Sequence, residues 1–413
     1  MPNIPQRSAT SQPPFRTIIN HFRSTTSPKV ASDLLNKDVP IMSLHINQFS
    51  DVTCVGLALP HAVVDMMGIG IIMRTWCSIM ADDRVKVPSL IVGDPLAKYG
   101  APYPTTRSGV KELRASMIGT TRVWGLQSKI RYFGRLILEL VLSPKEHCGL
   151  FFIPMSVVDR IREEGKRGAK ESSNDNGGSP WVSENDVITA ILVKVRIVFI
   201  FLYSVLYLTP SQIYSLGRSQ TDKTPFTIAF TGNIRGQLPS LPKDSSSVWI
   251  HNAIVPITVP SFATCQLPDL SIYQIALNVR KAIIAQRNVE EISKELTVYR
   301  ENARRGNHQA FHSSYGMSYY LTSWSSAKLA DLDFRPAFLA QDSRELHSEG
   351  GRVIFAGGSV SMTELGRRAW AITLSKQGKD GSGESGYWCE TGTVVKVWPL
   401  VEEFLNSLRS GTQ

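Results

Sequence analysis

The sequence predicts a mixed α/β protein built of two lobes. Its 413 residues include 42% hydrophobic side chains, which is enough to bury a sizeable core, and a chain of this length commonly divides into two units. Apolar runs of strand length alternate loosely with segments of helical apolar spacing, and no internal repeat is visible. These observations favour sheets flanked by helices over an all-helical, all-strand or repeat architecture.

The first predicted elements form a β-hairpin. Ile41–Phe49 alternates moderately between apolar and polar residues, and Thr53–Leu59 is an apolar run without charge. A turn at Ser50-Asp51 joins them, and Pro60 ends the second strand. The polar residues 1–38 before this hairpin are predicted to be irregular.

A helix is predicted directly after the hairpin. Met66–Met80 has helical apolar spacing, although Gly68 and Gly70 weaken a helix, and these glycines are expected to permit close backbone packing. Residues 87–107 are rich in Pro and Gly and predict a long connector. Further strands are predicted at Leu150–Pro154, Phe226–Ile234, Trp249–Val259 and Met317–Trp324. Further helices are predicted at Met155–Lys166, Ser183–Lys194, Ser271–Arg305 and Trp398–Leu408.

Composition limits the class of function. The chain has 45 basic and 35 acidic residues, a net charge of +10 that is spread along the sequence. This excess is either a solvated basic surface or a cleft for a polyanionic ligand such as coenzyme A. Nucleic-acid binding is not expected, because no basic helix or basic patch interleaved with aromatic residues occurs.

Cysteine usage and the termini predict a cytoplasmic protein. The five cysteines are scattered without metal-ligand spacing, which suggests neither a disulfide framework nor a zinc site and fits a reducing compartment. The start of the sequence has no apolar signal core. Val195–Leu208 is strongly apolar but contains Arg196 and is shorter than a membrane-spanning helix, so we expect a buried strand or helix and no membrane insertion.

The most informative motif is His61-Ala62-Val63-Val64-Asp65, directly after the second strand. A histidine at a strand end can lie partly dry at the floor of a cleft, and an imidazole titrates near neutral pH, which suits a general base. Asp65 is expected to anchor the turn that aims the ring. Each residue also has an ordinary interpretation, His61 as a turn histidine bonded to the backbone and Asp65 as a helix N-cap.

Other motifs follow this one in a fixed order. Asn233–Leu238 (N-I-R-G-Q-L) and Trp249–Ala253 (W-I-H-N-A) lie in the middle of the chain, and Thr322–Ser326 (T-S-W-S-S) and Asp333–Ala337 (D-F-R-P-A) lie late. The order resembles the BAHD family of plant and fungal acyl-CoA-dependent acyltransferases, which carry H-x-x-x-D, R-G-x-L, G-N-A, S-S-W and D-F-G-W-G motifs. The resemblance spans residues 40–400.

The resemblance implies a two-lobed fold like that of chloramphenicol acetyltransferase, with mixed sheets flanked by helices and an active-site channel between the lobes. Residues 1–90 would form the N-terminal lobe, 91–145 a crossover connector and 146–413 the C-terminal lobe, with about 336–372 crossing back. The protein would be a monomer with no metal and no bound cofactor, using acyl-CoA as co-substrate and a small secondary metabolite as acceptor.

The resemblance also implies residue roles. His61 would be the general base that deprotonates the acceptor hydroxyl or amine. Asp65 would support the catalytic loop through an ion pair with Arg235, since a buried carboxylate needs such a partner. Asn252, Ser323 and Trp324 would line the substrate channel. Asp333 and Phe334 would be structural.

The chain departs from the family pattern at several places. Met66 stands where glycine is usual, and D-F-R-P-A loses both glycines, so that Arg335 would resist a positive φ. Only sixty residues precede His61, which predicts an N-terminal truncation. Residues 195–216 form an extra apolar block, and we interpret it as a translated intron.

Two alternatives to an active acyl-CoA-dependent enzyme follow. A condensation-domain-like enzyme would use carrier-bound acyl groups, although such domains usually have a second histidine before the motif, where this chain has Pro60. A catalytically impaired relative that only binds a ligand, or a misassigned fragment, is the other alternative. The acyl chain, the acceptor and the choice of O- or N-acylation are not predicted.

Overall fold

The computed structural model describes residues 24, 27–28, 31–36, 38–83, 87–142, 146–172, 181–207, 223–241, 246–307, 310–312, 314–337, 350–358, 370–377, 384–394 and 397–411. The strands are β1 (Ser43–Gln48), β2 (Thr53–Ala58), β3 (Ser89–Leu90), β4 (Glu146–Pro154), β5 (Pro225–Asn233), β6 (Ser247–Val248), β7 (Ile254–Thr258), β8 (Phe262–Ala263), β9 (Met317–Ser323), β10 (Trp370–Gln377) and β11 (Gly386–Val394). The helices are α1 (Ala31–Asn36), α2 (Met66–Met80), α3 (Arg107–Ser116), α4 (Leu126–Leu142), α5 (Met155–Ser172), α6 (Glu184–Tyr207), α7 (Ile272–Gln286), α8 (Val289–Arg304) and α9 (Trp398–Ser410).

One mixed sheet organises most of these elements. Its strands run in the order β4-β11-β10-β9-β5-β7, and β8 pairs with β5 beside this path. The pairs β10–β9 and β9–β5 are parallel, while β4–β11, β10–β11 and β5–β7 are antiparallel. The mixed α/β arrangement that the sequence predicts is confirmed.

Each face of this sheet is covered by its own apolar cluster. Alternation along β5 sends Phe226, Ile228 and Phe230 to one face, where they join the buried side chains of α5, α6, α7 and α9. The opposite face holds a cluster of aromatic and aliphatic side chains from β4, β10 and β11, which includes Trp388 and also Trp324, directly after β9. Met66 and Phe355 pack against that second cluster.

The N-terminal elements form a separate hairpin and helix. β1 and β2 pair antiparallel, with Leu44 opposite Leu57 and Ile46 opposite Val55, as the sequence predicts. α2 follows, and its two glycines do permit close packing: a Cβ on Gly70 would lie 2.7 Å from the carbonyl oxygen of Ala327.

Several sequence predictions of helices and strands need correction. The irregular start contains the short helix α1, and the connector contains α3 and α4, which we did not predict. α4 contacts the body through Tyr132, whose ring lies 4.8 Å from Trp124, while its apolar stripe faces outward at Leu126, Ile130, Phe133, Ile137 and Val141. The predicted strand Trp249–Val259 is regular only over Ile254–Thr258.

The apolar block 195–216 begins as helix. α6 starts with the predicted capping box, in which Ser183 N donates to Asp186 Oδ2 over 2.7 Å, and it continues to Tyr207 with Val195 and Ile197 buried. The later part of the block lies outside the described residues. No helix among the described residues is long and apolar enough to span a membrane.

Candidate functional site

The His61–Asp65 turn connects β2 to α2 and presents its two ends to different environments. Val63 N donates to the carbonyl of Pro60 over 2.9 Å, which closes the turn. Val64 and Asp65 are buried at 4% exposure each, whereas His61 is exposed. The expectation of a partly dry His61 is therefore wrong, because the turn buries its C-terminal end and leaves its N-terminal end outside.

Asp65 is the most heavily bonded residue of the turn. Its Oδ1 accepts from Gly68 N over 2.9 Å and from Arg235 Nη2 over 3.1 Å. Its Oδ2 accepts from Arg235 Nη1 and from Ala253 N, each over 2.9 Å. The structure thus contains the predicted Asp65–Arg235 ion pair, and Asp65 is at the same time the N-cap of α2. Asp65 thus anchors the turn and caps the helix at once, while its support of a catalytic loop stays a prediction.

Arg235 joins three parts of the chain. Besides Asp65, its guanidinium donates to the carbonyls of Trp249 over 3.0 Å and His251 over 2.5 Å, and to Asn233 Oδ1 over 3.3 Å. Gly236 follows with φ +76°, a left-handed conformation that glycine adopts without strain. The carbonyls of Trp249 and His251 are thus directed at Arg235, and residues 249–253 do not form a regular strand.

Residues 251–253 hold the turn from its backbone side. Asn252 Nδ2 donates to the carbonyl of His61 over 2.8 Å, so the structure brings these two predicted site residues together. His251 Nδ1 lies 3.0 Å from the carbonyl oxygen of Val63, and Val64 forms an isolated antiparallel bridge with His251. The sequence analysis did not single out His251, and the only available signal was its position beside Asn252.

The helix after the turn is fixed by close backbone contacts. A Cβ on Gly68 would lie 1.8 Å from the carbonyl oxygen of Ile250, so only glycine fits there. Six residues further along α2, Arg74 Nη1 donates to the carbonyl of Ala327 over 2.5 Å. α2 is therefore held between the 249–253 segment and the turn after β9.

Ser323 and Trp324 lie at the end of β9 in different surroundings. Ser323 lines a small cleft between α6 and the strands β5, β9 and β10. The other lining residues are mainly polar: Asn185, Thr189, Thr231, Thr322 and Thr373, with Leu192, Phe230 and Leu321. Trp324 is 7% exposed in the apolar cluster that Met66 contacts, and its N–H donates to the carbonyl of Thr373 over 2.8 Å.

Asp333 and Phe334 pack beside α2. The Phe334 ring meets Trp76 edge-on at 5.7 Å, and Phe334 N donates to the carbonyl of Gly351 over 2.8 Å. Arg335 begins a short 3₁₀ helix and forms an ion pair with Asp333. The expected conflict at Arg335 does not arise, since Arg335 does not have a positive φ. The hydrogen bonds with Arg335 hold the pKa of Asp333 down at about 2.

Known proteins with similar sequences include several fungal acetyltransferases. The chain is 25% identical over 398 residues to the acetyltransferase adrJ of Penicillium rubens, covering 94% of this chain and 73% of that protein. It is 24% identical over 406 residues to the O-acetyltransferase PaAT-2 of Phomopsis amygdali, covering 95% and 76%. The chain is similar to fungal acetyltransferases. No protein-family model matches it.

A solved structure confirms the fold. TRI101 of Fusarium graminearum, crystallised with coenzyme A and T-2 mycotoxin, superimposes with a TM-score of 0.52 at 12% identity, covering 87% of this chain and 67% of TRI101. The predicted two-lobed α/β fold, like that of chloramphenicol acetyltransferase, is therefore confirmed. The residue boundaries of the lobes stay a prediction.

Proposed function

We propose that this protein transfers an acyl group from acyl-CoA to a hydroxyl, or an amine, of a small secondary metabolite, with His61 as general base. The observation that carries the proposal is the turn itself. Its Asp65 carboxylate is fully bonded to Arg235 and two backbone amides, and its His61 is left accessible. The similarity to relatives named acetyltransferases supports the same reaction class.

The chemistry needs a single imidazole. His61 takes the proton of the acceptor hydroxyl as that oxygen attacks the thioester carbonyl, which forms a tetrahedral oxyanion. The C–S bond then breaks, the carbonyl re-forms, and the leaving thiolate of coenzyme A receives the proton from His61. Both substrates are bound together, and no acyl group is attached to the protein.

The surrounding residues would position this base. Asn252 holds the His61 carbonyl, and Asp65 and Arg235 hold the other end of the turn, so the peptide that carries the ring is fixed on both sides. Fixed geometry matters because a misplacement of about 1 Å can reduce a rate by 10²-fold. Ser323 in the cleft is the candidate for substrate contact, whereas Asp333 and Phe334 would act only through the packing of α2.

A second candidate is a relative that binds an acyl-CoA but does not turn it over. The exposed position of His61 favours it, because active sites of this chemistry gain from the exclusion of water. The two candidates differ in thiol release. Both would show a higher melting temperature with coenzyme A, since a ligand that binds only the folded state stabilises it.

The test is thiol release from a panel of acyl-CoA thioesters with hydroxylated acceptors, for the wild type, His61→Ala and a control, His45→Ala on β1. We expect acceptor-dependent release by the wild type and by His45→Ala, and a loss of roughly 10²-fold or more in His61→Ala. Equal rates in the wild type and His61→Ala would exclude His61 as the base. Stabilisation by coenzyme A without any release would favour the binding protein, and release only from acyl-carrier protein would favour a condensation-like enzyme.

A further inference from the structure

His251 contacts the His61–Asp65 turn through its side chain. Its Nδ1 lies 3.0 Å from the carbonyl oxygen of Val63. A carbonyl oxygen can only accept a hydrogen bond, so Nδ1 must carry the proton, and in the neutral ring Nε2 is then the atom without a proton. The contact therefore fixes the tautomer of His251.

The ring of His251 is itself held in place. Its edge meets the Trp249 ring at 4.8 Å between centroids, and its own carbonyl accepts from the Arg235 guanidinium over 2.5 Å. The His251 backbone is bridged to Val64. The backbone that carries the imidazole is thus fixed. We therefore expect the hydrogen bond of His251 to restrain the position of Val63.

The neighbouring contacts show why this bond matters for His61. Asn252 holds the carbonyl of His61, His251 holds the carbonyl of Val63 two residues later, and Asp65 is held by Arg235. Without the middle contact, the peptides between His61 and Val64 would be restrained only at their ends and by the bonds to Pro60.

We propose that His251 is a positioning residue for acyl transfer, whose Nδ1–H fixes the Val63 carbonyl and thereby the orientation of His61. The expected fall in kcat rests on the proposed function, whereas the restraint of the turn by His251 does not. It assigns to His251 a role outside substrate binding, so its loss should reduce kcat and leave KM unchanged.

Three variants of His251 separate the hydrogen bond from the ring. In His251→Asn the amide nitrogen lies as many bonds from the backbone as Nδ1, so it can still donate to Val63. In His251→Gln the donor is one bond further out, and His251→Ala has none. We expect kcat to fall about 10-fold in His251→Ala and His251→Gln, and to stay within about 3-fold of the wild type in His251→Asn.

An activity-independent measurement accompanies the kinetics, namely amide hydrogen exchange of the peptide that contains residues 61–66. Exchange should be about 2- to 10-fold faster in His251→Ala than in the wild type, and near the wild-type rate in His251→Asn. If the wild type releases no thiol, the proposed function fails, and the exchange rates alone decide whether His251 restrains the turn. Unchanged kcat and exchange in His251→Ala, or an Asn variant as impaired as Ala, would overturn the proposal.

Discussion

Replacing Glu295 by glutamine should make the protein more stable at neutral and alkaline pH and leave its stability near pH 4 almost unchanged. Glu295 lies on α8 and is 2% exposed. Thr121 Oγ1 donates to its Oε2 over 2.5 Å, and Oε1 has no hydrogen-bond partner among the described residues. Burial, with the charge of Glu291, raises the pKa of Glu295 to about 7, although Thr121 and Arg122 oppose the change.

The direction of the effect follows from proton binding in the two states. Below the ordinary glutamate pKa of 4.5, Glu295 is protonated in both the folded and the unfolded chain. Between pH 4.5 and about 7 only the folded state keeps the proton, so the free energy of unfolding falls as pH rises. Above this range the loss is complete. At about 1.4 kcal/mol for each pKa unit, it amounts to roughly 3 kcal/mol.

Urea unfolding followed by circular dichroism between pH 4 and pH 8 measures this difference for the wild type, Glu295→Gln and Glu290→Gln. Glu290 is the control on the same helix, because its side chain is 78% exposed and its hydrogen bond with Lys294 lowers its pKa. The stability of Glu295→Gln relative to the wild type should rise by roughly 3 kcal/mol with pH, while that of Glu290→Gln stays constant above pH 4.5. A constant difference for Glu295→Gln would show that Glu295 is ionised in the folded state.

Two further predictions concern the His61–Asp65 turn and the helix that follows it. Asp65→Asn should lower the free energy of unfolding by about 3–5 kcal/mol, because Arg235, with a side chain 14% exposed, loses its carboxylate; a urea-measured loss below about 1 kcal/mol would contradict this. Gly70→Ala should cost about 1–3 kcal/mol by overpacking against Ala327. Gly134→Ala on α4, where a Cβ would meet nothing within 4 Å, should raise the melting temperature, and a similar change in both glycine variants would show that helix propensity outweighs packing.

The sequence predicted the parts of this fold that depend on local pattern. The β1–β2 hairpin follows from alternation and a turn, and the start of α6 follows from the Ser183 and Asp186 capping box. The Asp65–Arg235 pair joins residues 170 positions apart, so it was accessible only through the order of motifs shared with a known family.

The failures have a common physical cause in tertiary contacts. Residues 249–253 have strand-like composition, but Arg235 and the turn take up their hydrogen-bonding groups. α4 was not predicted. Its apolar stripe is exposed, and helical apolar spacing indicates a buried face only if another element covers that face. His61 was expected to be partly dry because it follows an apolar strand, yet burial begins three residues later, at Val64.

Although the side chain of His61 is exposed, its backbone is restrained, because hydrogen bonds hold the main chain of the turn. Asp65 has both carboxylate oxygens bonded twice, so it is not available to a substrate and serves to fix the end of the turn. Asn252 and His251 occupy the carbonyls on the inner side, and this leaves the imidazole as the part of His61 that is free to meet a reactant. If the proposed acyl transfer by His61 is correct, substitutions in residues 251–253 should change its rate, because they act through the peptide that carries His61.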